Sequence, residues 1–214
     1  MIESGAGIIL RTLPLTETSL IVHWLGPAFG RIATVAKGAR RPKSPFAGKL
    51  DLFYEADISF TRSRSGDLHA LREASLRHTN AGLRLDVEKL RQAAYAASFI
   101  VRATEPETPL PDIFELLRRF LESLSALEPA PQLVLAFELK MLVELGLEPD
   151  WNETRLEPGT RKIVEAMLQR EFSSIPGVKP TDRQLSELRQ FLHGFIIFHL
   201  GKIGRGRGRI IQPQ

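Results

Sequence analysis

Short runs rich in aliphatic and β-branched residues open the chain, and each ends at a turn signal. Gly7 to Leu13 and Ser19 to Leu25 are two such runs, joined by Pro14-Leu15-Thr16-Glu17, and together they predict a hairpin. Gly26-Pro27-Ala28-Phe29-Gly30 supplies the next turn. Arg31 to Lys37 then alternates polar and apolar side chains at a period of two, as a half-buried strand does. Leu52 to Phe60 is a fourth strand candidate, and the turn-forming stretch Arg62 to Asp67 separates it from a fifth, Leu68 to Leu76. Five short strands with loops between them predict a small closed β-barrel of the OB kind, which leaves its loops free to grip an elongated ligand.

After Asn80 the period changes. Val87, Leu90, Ala94, Ala97, Ile100 and Val101 recur at helical spacing behind Asp86, a capping residue. Ile113 to Leu124 repeats the pattern, Leu133 to Leu145 predicts a third helix closed by Gly146, and Thr160 to Phe172 and Asp182 to Leu200 predict two more. The predicted fold class is therefore α+β: an N-terminal five-stranded OB-type β-barrel over residues 1–79, an all-helical C-terminal domain over residues 80–204, and an Arg/Gly-rich flexible tail over residues 205–214.

Composition narrows the function classes. A hydrophobic content of 43% in 214 residues is that of a folded protein. No run approaches the roughly 18 to 20 apolar residues of a membrane span. Met1 leads into Ile2-Glu3-Ser4 without the basic and apolar regions of an export signal, so a cytoplasmic location is expected. The chain has no cysteine and 5 scattered histidines, which predicts neither a metal nor a cofactor. Ser44, Ser63, Ser65 and the histidines form no nucleophile and base pattern, there is no phosphate-binding G-x-x-x-x-G-K-[ST] loop, and no catalytic residue is assigned.

Charge changes the picture more. Residues 1–70 carry 9 basic and 6 acidic side chains, residues 71–188 carry 15 and 19, and residues 189–214 carry 5 and none. Both ends are basic around an acidic middle, so a polyanion is the first partner to consider, with solvated charge as the alternative. Lys37, Arg40, Arg41 and Lys43 crowd into one Gly- and Pro-broken loop without an acid and are candidate phosphate contacts. Arg11 and Arg31 flank the barrel and extend that track, or else guard strand edges. Phe46 sits in the same loop with no strand pattern demanding its burial, and is a candidate for stacking on bases. Phe53 or Tyr54 faces inward, leaving the other available. Arg205, Arg207 and Arg209 read as a flexible phosphate grip or a solvated terminus. Arg118, Arg119 and Lys140 lie on helices, as outer-face charges or as cations for an acidic, apolar peptide tail.

Gly7 to Val22 reads G-I-I-L-R-T-L-P-L-T-E-T-S-L-I-V, Gly30 to Ser44 contains A-K-G-A-R-R-P-K-S, and Leu68 to Ala74 ends the barrel region with L-R-E-A. In this order the elements resemble the bacterial RecO family of DNA repair proteins, and Phe137 to Asp150 is similar to that family's long helix running into an L-G-x-x-P-x element. One departure is clear. Many members carry a four-cysteine zinc module directly after that element, and here Trp151 to Gly159 stands in its place. The resemblance implies a non-enzymatic recombination mediator. Such a protein binds single- and double-stranded DNA, anneals complementary strands, engages the single-strand-binding protein and, with RecR, helps load RecA at the nucleoid; separately, a chain with no heptad seam is expected to be a monomer. A protein adaptor without a direct DNA role is the alternative, and a DNA-cleaving enzyme ranks last.

Overall fold

The structure, a computed structural model, describes residues 1–201 and 206–211. It divides into two compact units, one of residues 1–81 with 104–118, the other of residues 82–103 with 119 onward.

The first unit is the barrel. Its strands are β1 (Ile2–Pro14), β2 (Leu20–Gly26), β3 (Gly30–Ala36), β4 (Glu55–Thr61) and β5 (Leu68–His78), closed in the order β1-β2-β3-β5-β4. All pairings are antiparallel except β3 with β5. This five-stranded closed topology is the OB arrangement predicted from the strand pattern. Closure rests on β1, whose first half pairs with β4 (Ile2 to Ile8) and whose second half pairs with β2 (Ile8 to Pro14), with an irregularity between Ile9 and Arg11. Alternation then sends Ile9, Val22, Trp24, Ile32, Ala36, Ile58, Phe60 and Leu71 into one core. Thr34 is buried among them and accepts the Trp24 indole N–H at 2.9 Å, so the ring's polar edge is satisfied.

The fourth strand starts later than its apolar run suggests. Phe53 has φ 62°, donates its N–H to the Ile9 carbonyl at 2.9 Å and turns its ring inward, so β4 begins only at Glu55. Residues 104–118 join the barrel through backbone contacts: Glu107 N–H donates to the Arg31 carbonyl at 2.9 Å and Leu110 N–H to the Pro27 carbonyl at 3.1 Å. Ion pairs reinforce this strap, with Arg62 bridging Glu3 and Glu107.

The second unit is helical. It contains α1 (Val87–Ala103), the C-terminal end of α2 (Pro111–Ala126), α3 (Pro131–Glu144), α4 (Pro158–Gln169), α5 (Asp182–Leu200) and the single turn α6 (Arg207–Ile210). Asp86 caps α1 by accepting the Glu88 N–H at 2.6 Å, and Thr181 and Gln184 form a reciprocal capping box at α5. Helix α3 is buried nearly all round, which marks it as the central helix. Phe137 from its middle packs on Phe99 of α1 and Phe120 of α2, and Phe120 packs on Phe172.

Gly30 ends the turn before β3 at φ +67°, and a Cβ there would stand 1.9 Å from the Thr108 carbonyl oxygen. Gly48 has φ +72° but open space around it. Gly30→Ala therefore combines backbone strain with a clash against the strap and is expected to cost about 2 kcal/mol or more. Gly48→Ala is expected to cost about 1 kcal/mol. Urea denaturation of the two variants checks the order, and equal losses would remove the strap from the barrel's stability.

Candidate nucleic-acid interface

The cationic loop leaves β3 and runs as successive turns, with Arg41 N–H donating to the Gly38 carbonyl at 3.0 Å, Ser44 to Arg41 at 3.0 Å and Ala47 to Ser44 at 3.1 Å. The β1–β2 connection braces it. Arg40 N–H donates to the Thr18 carbonyl at 2.9 Å, Gly38 N–H to Ser19 Oγ at 3.3 Å, and Arg40 Nη1 to the Thr16 carbonyl at 3.4 Å. Lys37, Arg40, Arg41 and Lys43 are all exposed, and none of the four forms an ion pair among the described residues. The result is a concentrated positive field on a backbone whose turns are already made.

Phe46 is placed differently from the expectation. It is 6% exposed and belongs to the barrel core, so its ring anchors the loop rather than facing a base. The aromatic side chain at the surface nearby is Tyr54, half-buried beside a hollow of about 180 Å³ that Leu20, Ala39, Phe46 and Leu50 also line. Phe53 is the inward member of its pair.

Arg11 is exposed on β1 and faces His23 of β2. Arg31 is only half-buried, yet its guanidinium is engaged: Nε donates to Thr104 Oγ1 at 2.9 Å and Nη2 to the Thr104 carbonyl at 2.5 Å. Arg31 therefore secures the strap, a role that its place on an alternating strand does not reveal. Burial, and then the positive charges of Arg11 and Arg31, hold the His23 imidazole below its ordinary range. A groove of about 390 Å³ beside the loop is lined by Pro45, Phe46, Lys49, Ser59, Arg72 and Glu73 among others. Lys49 and Arg72 were not singled out in the sequence. Their signals are present there, Lys49 six residues beyond Lys43 in the same loop and Arg72 in the outward register of the last strand.

Of the remaining candidates, Arg118 ends the first unit, and Arg119, Lys140 and the described tail arginines belong to the second. Arg118 makes a bidentate pair with Glu115, at 2.7 Å for each nitrogen, and Arg119 pairs with Glu171 at 3.2 Å. Lys140 donates to the Leu168 carbonyl at 2.5 Å and stands 5.8 Å from the Phe172 ring centroid, and its partial burial lowers its affinity for a proton. In the tail, Arg205 lies outside the described residues and Arg209 is exposed on α6. Arg207 departs from the flexible-grip expectation. It is 4% exposed and forms a bidentate pair with Glu138 of α3, which holds the segment against the helices. Among the described residues no cluster of three His, Cys, Asp or Glu side chains is placed to hold a metal, and no helix is long and apolar enough to cross a membrane.

Comparison with known proteins matches residues 1–80 to the family described as Recombination protein O N terminal and residues 84–154 to Recombination protein O C terminal. The chain is similar to the DNA repair protein RecO of Rhodopirellula baltica, 33% identical over 66% of this chain and 53% of the relative. It is 27% identical to RecO of Bacillus subtilis over 95% of this chain and 82% of that relative, and 34% identical to RecO of an Anaeromyxobacter strain over 67% and 56%. The chain thus spans about half the length of some curated relatives and about four-fifths of another.

The depressed His23 gives the barrel a pH signature. The unfolded chain takes up the proton at the ordinary imidazole value of about 6.5, whereas the folded barrel resists it, so the unfolded state binds more protons just below that pH. Stability is expected to fall as pH drops from about 6.5 through the folded value. In urea titrations across this window, His23→Gln should flatten the decline; an unchanged decline would mean that other groups carry it.

Proposed function

The chain belongs to the RecO family of DNA repair proteins, and from that premise we propose that it is a non-enzymatic recombination mediator which binds DNA through the braced cationic loop of its barrel. The observation that carries this reading is the set of four exposed cations, Lys37, Arg40, Arg41 and Lys43, without an ion pair among the described residues, on a loop fixed by Phe46 and by the β1–β2 connection. Lysine and arginine side chains that pair with phosphates release the counterions condensed on the nucleic acid without regard to sequence, so single- and double-stranded DNA are both ligands. Arg11 extends the track. Annealing follows from the same charge: cations between two complementary strands screen their repulsion and let them approach closely enough to pair, with no covalent step.

In the helical unit, engagement of the single-strand-binding protein falls to half-buried Lys140, whose charge suits an acidic tail once its bond to the Leu168 carbonyl is exchanged for a carboxylate, the Phe172 ring beneath it being buried in the core. Arg119 takes part only by exchanging Glu171 for that partner, whereas Arg118, paired with Glu115, belongs to the first unit. With RecR, the complex helps load RecA, in the cytoplasm and at the nucleoid.

Replacing Lys37, Arg40, Arg41 and Lys43 together by alanine is expected to weaken single-stranded DNA binding for every sequence tested and to flatten the salt dependence by about 0.7 of a log–log slope unit per lost contact. Fluorescence anisotropy over a salt series, with a double-stranded competitor, reads both effects. An unchanged slope would remove the loop from the interface, and absence of binding by the unaltered protein at low salt would favour an adaptor acting only on proteins.

A further inference from the structure

Helix α3 is apolar along nearly its whole length, and it carries Glu138 with no exposure at all. A carboxylate there is costly unless a cation and further donors meet it. Tyr95 of α1 donates its hydroxyl to Oε1, and Arg207 closes on both oxygens, Nε to Oε1 at 2.6 Å and Nη2 to Oε2 at 2.7 Å. The third guanidinium nitrogen, Nη1, donates to the Arg189 carbonyl of α5 at 3.3 Å. Burial works against the Arg207 charge, but Glu138 outweighs it and raises the guanidinium's hold on its proton.

What fills this seat is a short segment. Helix α6 is a single turn, too short to be stable alone, and its hold comes from Arg207, from buried Ile210 and Ile211, and from Arg189 Nη1 donating to the Ile211 carbonyl at 3.0 Å. The seat is made by α1, α3 and α5, and an open hollow of about 300 Å³ lies between α5 and the segment, lined by Ser186, Gln190, His193 and Gly208 among others. A guanidinium forked on a carboxylate supplies geometric specificity, and aliphatic side chains three and four residues on supply burial at helix-in-groove spacing, the two parts a peptide contact needs.

We propose that Tyr95, Glu138 and the Arg189 carbonyl form a guanidinium-recognising peptide site in the helical unit, which residues 206–211 fill as an intramolecular ligand, and which accepts a free peptide of the same arginine-and-isoleucine chemistry once Arg207 is gone. Arg207 is then a specificity residue withheld from polyanions, and the site is a docking place for arginine-bearing, aliphatic peptide segments.

The test uses the full chain and a fluorescein-labelled peptide with the sequence of residues 206–214. Arg207→Ala is expected to bind the peptide at least tenfold more tightly than the unaltered protein, and a peptide with neutral citrulline in place of Arg207 should lose at least tenfold. Should Arg207→Ala melt without cooperativity by itself, the arginine peptide is expected to restore a cooperative transition and the citrulline peptide is not. Equal affinity of variant and unaltered protein, failure of the peptide to bind or restore the variant, or equal binding of both peptides would overturn the proposal. An independent reading comes from limited trypsin digestion: Glu138→Gln should speed cleavage after Arg207 at least tenfold, and an unchanged rate would count against it.

Discussion

Strand β1 must serve two neighbours at once. Its first half completes a ladder with β4 and its second half a ladder with β2, and without that double service the sheet would keep two open edges. The strand accommodates this with an irregularity between Ile9 and Arg11 and with small residues where rings lie close, a Cβ on Gly7 standing 3.1 Å from the Trp24 ring. Closure in the order β1-β2-β3-β5-β4 also separates β3 from β4, so the chain between them, residues 37–54, must cross rather than turn back. A long connection is a consequence of topology, and the cationic side chains ride on it. Phe46 sits in the core from the middle of this crossing, which is why the loop has a fixed course despite holding little regular structure.

The chain uses its cations in two opposite ways. Arg31 and Arg207 are spent inside, one on the strap at Thr104 and the other on Glu138, while the loop cations face solvent without acidic partners among the described residues. A charge count along the sequence cannot separate these uses. The basic end of the chain therefore overstates what a polyanion meets there, whereas the basic loop of the barrel retains its field. The central helix explains part of this division: a carboxylate buried in α3 needs a guanidinium, and among the described residues the C-terminal segment supplies it.

Much of the fold was legible because it is written in local periods. The alternation read over Arg31 to Lys37 gave strand β3, though its buried side includes the polar Thr34, which meets the Trp24 indole, and the helical spacing behind Asp86 gave α1 with its cap. Leu52 to Phe60 misled at its start, because the apolar Leu52-Phe53-Tyr54 does not announce a positive φ at Phe53. The candidate site was legible where it depends on composition, in Lys37 to Lys43. It was illegible where partners are remote: Arg31 meets Thr104 across 73 positions and Arg207 meets Glu138 across 69. Phe46 had no local pattern to follow, since its burial is decided by the barrel it lies over.

The bracing of the loop bears on how strongly charge alone can bind. Ordering one residue's backbone costs about 1–2 kcal/mol, so a slack loop with four cations would lose much of its electrostatic gain in becoming ordered on a strand. Here the turns at Arg41, Ser44 and Ala47, the bonds to Thr18 and Ser19, and the buried Phe46 ring are already in place. That ordering was met during folding, by apolar burial and backbone hydrogen bonds rather than by contact with a ligand. Arg40 is tied to the Thr16 carbonyl, whereas Lys37, Arg41 and Lys43 make no side-chain hydrogen bond among the described residues, which under the proposed function suits a ligand whose phosphates vary in position. A site of this kind holds its field in one place while leaving the final contacts adjustable, and it favours breadth of recognition over discrimination among sequences.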